Sequence, residues 1–305
     1  MITSYQFIKF KEEAFVDFHR KLSEMNTISC FDFEDGVIDF KKNDTNRYKS
    51  DYRKKVIDLL IKYKTRTLKS FLSFRINEYG TNRYFDDLQT LEVIKDVKLN
   101  SIFLSKCNSP EVLENFLKDT KDFRFDEVIP IMESNDALTN LEEISKFKHP
   151  KFRNISFGHN DYNLNCNIFP FIHQDNPRYW SWIQKFQKIC EKEKLGFINS
   201  PYLNLNHSEN FKLLLKNMSN YFKDWGQITL NTQQSELCHR FSISAPVKTE
   251  ERNQNNEINV KEYAEKIVHL FEKYNPEGKG YTIMPDTKEF ICPQEYIAAK
   301  RFLYE

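Results

Sequence analysis

Strand-like and helix-like segments alternate along the whole chain, and this alternation limits its possible folds more than any other feature. Short apolar runs rich in β-branched and aromatic residues predict eight strands: Gln6–Phe10, Ile28–Glu34, Phe71–Ile76, Ile102–Lys106, Val128–Glu133, Ile155–Gly158, Phe197–Tyr202 and Ile228–Leu230. Strands that alternate with helices form parallel sheets, and eight of them favour a closed (β/α)8 TIM barrel of the α/β class. An open doubly wound sheet is the alternative, but no GxGxxG sequence follows the first strand.

Helical periodicity fills the intervals between these runs. Ser109 and Pro110 are a capping residue and a first-turn proline, so they predict the start of a helix. Apolar residues recur at helical spacing in 52–63 and 210–222, which predicts two more helices.

The chain divides into three parts by composition. Residues 1–246 contain the predicted barrel, and 247–259 are polar and charged, as in a linker. Residues 260–305 begin with an apolar helical stripe and are too few to form a core of their own. We therefore expect a C-terminal helical extension that packs on the barrel or on a neighbouring subunit.

Composition excludes several classes of protein. Apolar residues make up 40% of the 305 residues, enough for a large core, and the net charge is only +1, without the basic patch of a nucleic-acid binder. No signal peptide and no membrane-spanning run is present. The six cysteines are scattered, which is typical of reduced thiols in a cytoplasmic protein, and the histidines form no HExxH pattern.

Charged and amide side chains follow the predicted strands where each one ends. They are Glu34, Asp35, Arg75, Lys106, Glu133, Asp161, Asn199 and Asn231. The carboxyl ends of barrel strands meet at one rim, where barrel enzymes have their active sites. Two carboxylates about 4 Å apart repel by roughly 4 kcal/mol at an effective dielectric near 20, so such a cluster needs a cation. Oxygen ligands favour Mg²⁺ or Mn²⁺ over zinc.

Each of these residues also has a structural interpretation. Glu133 could cap the next helix, and Asp161 could brace a turn. Lys106 could bind substrate or only neutralise the acids. His159 lies beside Asp161, but a single loop histidine is more often a surface residue or a hydrogen-bond partner, so it is not assigned as a general base.

Five motifs resemble those of the citrate lyase β-subunit-like proteins of the HpcH/HpaI aldolase superfamily. Phe31-Asp-Phe-Glu-Asp-Gly-Val37 is similar to their LDLED-(A/G)-V segment, and Phe74-Arg-Ile-Asn77 to their VRIN strand. Leu104-Ser-Lys-Cys-Asn-Ser109, Ile129-Pro-Ile-Met-Glu-Ser134 and Ile155-Ser-Phe-Gly-His-Asn-Asp161 follow in the family's order. The order and spacing agree from about residue 6 to residue 245.

The resemblance implies a site and a chemistry. It implies Mg²⁺ bound by Glu133 and Asp161, with Glu34 and Asp35 behind the metal's water shell. Arg75 would hold the oxygen that becomes an enolate. The backbone N–H groups of Gly158, His159, Asn160 and Asp161 would receive the substrate carboxylate. Catalysis would then fall to Arg75, Glu34 and Asp35.

The sequence departs from the family at three places. Asn231 and Thr232 stand in place of a His-Pro pair, and Ile291 replaces the second aspartate of a DGKMID-like segment. Lys9-Phe10-Lys11 follows the first strand where the family has Pro-Gly. In some relatives the replaced aspartate reaches a neighbouring subunit's site, so its loss weakens the case for acyl-CoA substrates.

These features predict a Mg²⁺-dependent carbon–carbon lyase or aldolase that acts on a small oxoacid or hydroxyacid, possibly CoA-linked. The alternatives are an acyl-CoA thioester lyase or hydrolase, and a catalytically silent barrel within a larger complex. The resemblance also implies a homo-oligomer, with a trimer expected, in which the C-terminal extension covers an adjacent subunit.

Overall fold

The fold is a closed barrel of eight parallel strands. The structure is a computed structural model that describes residues 2–8, 15–38, 40, 45–63, 71–243 and 259–305. The barrel closes because β1 pairs with both β2 and β8. Its strands are β1 (Ile2–Ile8), β2 (Thr27–Asp32), β3 (Leu72–Ile76), β4 (Leu99–Leu104), β5 (Phe125–Met132), β6 (Asn154–Phe157), β7 (Gly196–Asn199) and β8 (Trp225–Thr229). The predicted TIM barrel is confirmed.

Helices connect the strands and form the outer layer. They are α1 (Phe15–Glu24), α2 (Thr45–Tyr63), α3 (Asn82–Glu92), α4 (Pro110–Asp119), α5 (Asn135–Thr139), α6 (Leu141–Ser145), α7 (His159–Asn165), α8 (Pro177–Glu193), α9 (Ser208–Tyr221) and α10 (Thr232–Ile243). A 3₁₀ turn at Asp35–Val37 follows β2. The helices in the described ranges are all too short or too polar to cross a membrane.

Alternating strand residues build two separate cores. Phe31, Phe74 and Phe157 belong to the large cluster between the strands and the helices. Tyr5 and Phe103 belong to a smaller cluster inside the barrel, where their rings pack edge to face at 5.2 Å. The strands are therefore covered on both faces, as parallel strands usually are.

The C-terminal segment contains α11 (Val260–Tyr274), the two-residue strands β9 (Thr282–Ile283) and β10 (Phe290–Ile291), and α12 (Pro293–Tyr304). Helices α11 and α12 pack on each other, with the rings of Phe271 and Tyr296 stacked at 4.1 Å. Helix α12 also packs on α7 of the same chain. Within the single chain this segment therefore contacts its own barrel, and its packing on a neighbouring subunit stays a prediction.

Backbone hydrogen bonds fasten this segment to the barrel mouth. Gly280 N–H donates to the Ile38 carbonyl, and Phe40 N–H donates to the Gly278 carbonyl, both at 2.7 Å. Gly280 has a φ of +60°, and a Cβ there would lie 2.9 Å from the Gly36 carbonyl oxygen. Glycine therefore allows this close approach.

The predicted strand bounds differ from the structure mainly at the amino ends. Strand β1 begins at Ile2 rather than Gln6, and β4 and β5 each begin three residues earlier than predicted. These early residues are partly polar, so an apolar run does not reveal them. Residues 9–11 and 247–258, which include the substituted Pro-Gly position and most of the predicted linker, lie outside the described residues.

Candidate active site

A two-pronged ion pair between Arg75 and Asp32 lies at the barrel mouth. Arg75 donates from Nε to Asp32 Oδ1 at 2.8 Å and from Nη2 to Asp32 Oδ2 at 2.6 Å. The same carboxylate accepts the backbone N–H groups of Glu34 and Gly36, each at 2.9 Å. Asp32 therefore holds both the arginine fork and the turn after β2 in place.

Arg75 also contacts the two acids that follow Asp32. Its Nη1 donates to Asp35 Oδ2 at 2.9 Å and lies 2.9 Å from Glu34 Oε2 in an ion pair that lacks hydrogen-bond geometry. Because a guanidinium has five N–H groups and three donate to Asp32 and Asp35, two remain for Glu34 and the cavity.

Glu34 and Asp35 differ in charge state because their surroundings differ. Burial alone would raise the pKa of Glu34, but Lys106, Arg75 and Lys49 outweigh it and hold that pKa well below its usual range. Burial, together with the adjacent Glu34 charge, raises the pKa of Asp35 to about 6. Glu34 is thus a fixed anion, whereas Asp35 can exchange a proton near neutral pH.

Glu133 follows β5 directly and is only 2% exposed. Its Oε1 accepts the backbone N–H of Lys106 at 2.7 Å. A Cβ on Gly158 would lie 2.8 Å from Glu133 Cβ and would overlap Oε2, so only glycine leaves room for this carboxylate. Gly158, which directly follows β6, therefore makes room for the carboxylate of Glu133, which directly follows β5.

Lys106 has a backbone φ of +53° and turns its side chain away from the cavity. Its Nζ pairs with Glu34 Oε1 at 2.9 Å, and it lines a separate cleft with Lys49 and Asn77. Glu34 raises the pKa of the Lys106 ammonium. This position favours the neutralising role over direct substrate binding.

Asp161 lies in the first turn of α7. Its Oδ2 accepts a hydrogen bond from Gln294 Nε2 of α12 at 2.8 Å. Burial, together with the negative charges of Asp35 and Glu133, raises the pKa of Asp161 well above its usual range. The C-terminal segment thus contributes a hydrogen bond to the active site of its own chain.

His159 is fully buried in a polar network under the site. Its Nδ1 lies 2.7 Å from Ser200 Oγ, and its Nε2 lies 3.1 Å from His173 Nδ1. Burial, with help from His173, lowers the pKa of His159 well below its usual value, so the ring is neutral. The ring is therefore neither at the surface nor bonded to a backbone group, and the absence of a general-base role for His159 stays a prediction.

The predicted carboxylate-binding turn needs one correction. The Gly158 N–H donates to the Met132 carbonyl at 3.0 Å as part of the pairing between β5 and β6, so it is not free for substrate. His159, Asn160 and Asp161 form the first turn of α7, where N–H groups have no partner within the helix. The side-chain Oδ1 of Asn160 is buried without a hydrogen-bond partner.

The two asparagines at the last strand ends have structural roles. Asn199 is buried, where its Nδ2 donates to Gln227 Oε1 at 2.8 Å and its Oδ1 accepts from Tyr179 at 2.6 Å. Asn231 accepts the backbone N–H of Gln234 at 2.8 Å and so caps the start of α10. Neither side chain is directed at the charged cluster.

The charged cluster lines part of a cavity of about 140 Å³. Asp32, Asp35, Arg75, Glu133 and Asp161 line it, together with the α7 turn. Lys106 and Glu34 are absent from this lining, because their side chains meet each other behind it.

Glu133 and Asp161 fit a magnesium ion. Glu133 is buried and Asp161 is half-buried, and no lysine, arginine or histidine of the described residues forms an ion pair with either. Burial, together with the Glu34 charge, raises the pKa of Glu133 to about 8, so a cation is needed to keep both acids ionised near neutral pH. Nowhere in the described part of the chain do three histidine, cysteine or acidic side chains converge as a metal site. Mg²⁺ commonly takes one or two carboxylates and keeps several waters.

The sequence analysis missed three residues that shape the site. Asp32 lies within the quoted Phe31–Val37 motif, and its spacing of two from Glu34 was the available signal. Lys49 donates to the carbonyls of Phe33 and Glu34 from a helix whose apolar pattern gave no sign of it. Gln294 stands in the last helix, and no local pattern links it to Asp161.

Solved structures share this fold at low sequence identity. RipC from Yersinia pestis is 17% identical with a TM-score of 0.57, over 79% of this chain and 94% of that chain. The citrate lyase β subunit from Mycobacterium tuberculosis is 14% identical with a TM-score of 0.61, over 78% of this chain and 96% of that chain. The barrel has the citrate lyase β-subunit fold.

One further structure extends the likeness into the C-terminal segment. The Mycobacterium tuberculosis protein CitE in complex with magnesium, acetoacetate and coenzyme A is 13% identical with a TM-score of 0.60, over 99% of this chain and 97% of that chain. No family profile and no curated protein sequence matches the chain. The similarity is therefore one of fold.

Proposed function

We propose that this protein is a Mg²⁺-dependent carbon–carbon bond lyase that cleaves a small oxoacid or hydroxyacid through an enolate. The observation that carries the proposal is the pair Glu133 and Asp161, one buried and one half-buried carboxylate with no ion-pair partner among the described residues, on the same cavity as Arg75. The fold supports it, since CitE structures with this fold contain magnesium with acetoacetate or pyruvate.

Glu133 and Asp161 would hold the metal, each in an orientation set by one hydrogen bond. Lys106 N–H orients the first, and Gln294 orients the second. Mg²⁺ bound there would supply a Lewis acid that polarises the substrate carbonyl. Such hydrogen-bonded partners of ligands fix ligand geometry and tune affinity.

Arg75 would stabilise the charge that develops on the substrate oxygen. Its fork is fixed by Asp32, so the remaining N–H groups keep a constant direction. A preorganised donor of this kind stabilises a transition state more than a mobile one does. The first-turn N–H groups of His159, Asn160 and Asp161 are the proposed hydrogen-bond donors to the substrate carboxylate.

Asp35 is the proposed proton acceptor. It lines the cavity, and its pKa of about 6 lies near neutral pH, where a general base works best. In the cleavage direction it would take the hydroxyl proton of the substrate. The carbon–carbon bond then breaks, and its electron pair passes to the carbon beside the carbonyl to give the enolate. A proton returned to that carbon completes the two products.

Hydrogen exchange on pyruvate tests this proposal directly. An enolate-forming site should exchange the methyl protons of pyruvate for deuterium in D₂O, and NMR would record the loss of the methyl signal. We expect exchange well above the rate with Mg²⁺ alone, abolished by chelation and by Glu133→Gln. Exchange no faster than the protein-free rate would overturn the proposal.

A further inference from the structure

The cavity has a second side that is apolar. Besides the acids, its lining includes Leu203, Leu205, Leu230, Tyr281 and Phe290. Leu203, Leu230, Tyr281 and Phe290 belong to a small apolar cluster of their own, separate from the barrel cores. The apolar wall, defined by these five residues, therefore shares one cavity with the charged cluster.

Three parts of the chain build the apolar wall: the loop after β7, Leu230 directly after β8, and the C-terminal segment. Phe290 N–H donates to the Leu203 carbonyl at 3.1 Å, and Asn204 pairs with Glu289 in an antiparallel bridge. The rings of Tyr281 and Phe290 stack at 4.3 Å. The loop after β7 and the C-terminal segment thus hold each other in register, and the wall is a built surface rather than a loose gap.

Charge in the cavity is unfavourable for a second anionic group. Among the described residues of the lining, Arg75 is the only lysine or arginine, and it already pairs with Asp32 and Asp35. Four carboxylates share the same lining. A substrate carboxylate at the apolar wall would lose its water and meet no lysine or arginine of the described lining there.

The size of the cavity limits the group that the wall can hold. About 10–15 Å³ of such space accommodates one water. The 140 Å³ present therefore holds roughly ten non-hydrogen atoms. That is enough for a three-carbon oxoacid unit and a small branched aliphatic group beyond it.

We propose that the substrate is a monocarboxylic oxoacid or its hydroxyacid adduct whose far end is a small branched aliphatic group, bound against the apolar wall. This inference rests on the proposed enolate chemistry and names its substrate class. The reacting carbonyl lies at the acids, and the apolar end lies between the β7 loop and the C-terminal segment.

Two isosteric ligands separate this class from a dicarboxylate. 4-Methyl-2-oxopentanoate and oxaloacetate differ only in an isopropyl group against a carboxylate at the far end, and pyruvate lacks both. Calorimetric titration in Mg²⁺ should give the isopropyl ligand an affinity on the order of tenfold or more above pyruvate, because each buried carbon adds transfer free energy. Oxaloacetate should bind more weakly than the isopropyl ligand by at least a similar factor.

An arginine placed in the apolar wall should reverse this preference. Each of two variants, Leu205→Arg and Leu230→Arg, adds a cation to the apolar wall. Both positions are only partly buried, so the longer side chain has room. Val93→Arg adds the same charge at an exposed position outside the cavity lining and should leave the preference of the unmodified protein.

The outcomes distinguish the two proposals. The inference is supported if the unmodified protein and Val93→Arg bind 4-methyl-2-oxopentanoate more tightly than oxaloacetate, and if either wall variant binds oxaloacetate more tightly. Oxaloacetate binding as tightly as the isopropyl ligand overturns it, while Mg²⁺-dependent binding of pyruvate would still support the enolate site. Mg²⁺-dependent binding of none of the three ligands overturns the proposed function itself.

Discussion

Gln294 donates a hydrogen bond to Asp161 across 133 positions of sequence, at 2.8 Å. Gln294 is 5% exposed and belongs to the last helix, whereas Asp161 lies in the first turn of the helix after β6. The proposed metal ligand is therefore oriented by the C-terminal segment of the same chain. Docking of the C-terminal segment on the barrel therefore affects the orientation of the Asp161 carboxylate.

Replacing Gln294 should weaken metal binding without removing it. We expect Gln294→Met to lower Mg²⁺ affinity by roughly tenfold or more, since partners that orient ligands typically contribute 10–100-fold. Gln234→Met removes a similar buried amide, which donates to the Tyr202 carbonyl, and should leave the affinity unchanged. Equal Mg²⁺ affinities in the two variants would show that Gln294 does not orient the site.

Arg75→Lys should lower turnover by on the order of a hundredfold, as loss of one oxyanion donor does. Lysine keeps the charge but lacks the fork that pairs with Asp32. Arg53→Lys disturbs a comparably buried pair with Asp87 outside the cavity, and should reduce thermal stability with little change in turnover. Turnover by Arg75→Lys near that of the Arg53→Lys control would mean that Arg75 only braces the barrel.

The pair of His173 and Glu295 should stabilise the docked C-terminal segment in a limited pH range. Burial alone would lower the pKa of His173, but Glu295, whose Oε1 lies 3.7 Å away, raises it. Its stabilising effect is therefore present below the usual histidine pKa of roughly 6.5 and is lost as pH rises through the raised value.

Glu295 limits the same range from below. Burial opposes ionisation of Glu295, but His173 and Tyr263 lower its pKa, so its contribution is present above roughly pH 4.3 and is lost on further acidification. We expect Glu295→Gln to lower the melting temperature more at pH 5.5 than at pH 8.5. The exposed Glu277→Gln is the control, and an equal loss at both pH values would contradict the ion pair.

The barrel fold and the positions of the strand ends could be predicted from the sequence because their signals are local. Short apolar runs mark strands such as Leu72–Ile76, which is buried at all but one of its residues, and parallel strands bring the following residues to one rim. The positions of Arg75, Glu133 and Asp161 at that rim follow from these local signals. The role of Gln294 does not, because its hydrogen bond depends on how α12 packs on α7.

Side-chain direction was the other part that sequence could not give. Lys106 and Glu34 stand at the rim as predicted, yet they pair with each other behind the cavity. The direction follows from the positive φ of Lys106, which an ordinary residue adopts only rarely. The apolar wall likewise combines the loop after β7 with a segment some eighty residues later, so no single sequence motif predicts it.

Complementation should show whether the C-terminal segment acts on its own barrel. A chain truncated after Asn259 lacks the segment, and full-length Glu133→Gln lacks a metal ligand. Because residues 259–305 contact their own barrel here, we expect a mixture of the two to remain inactive. Restored activity would mean that the segment covers a neighbouring subunit, as in the predicted trimer, and sedimentation of each chain would give its oligomeric state.

Calorimetric titration of Mg²⁺ tests the central claim most directly. Glu133→Gln and Asp161→Asn each remove one charge at the active-site face with little change in volume, so both variants should fold and neither should bind Mg²⁺ measurably. Glu127→Gln is the matched control, because Glu127 is a buried acid of the same strand that pairs with Asn154 away from the cavity, and its variant should bind as the unmodified protein does. Mg²⁺ affinity that is the same in all four proteins would contradict the magnesium site.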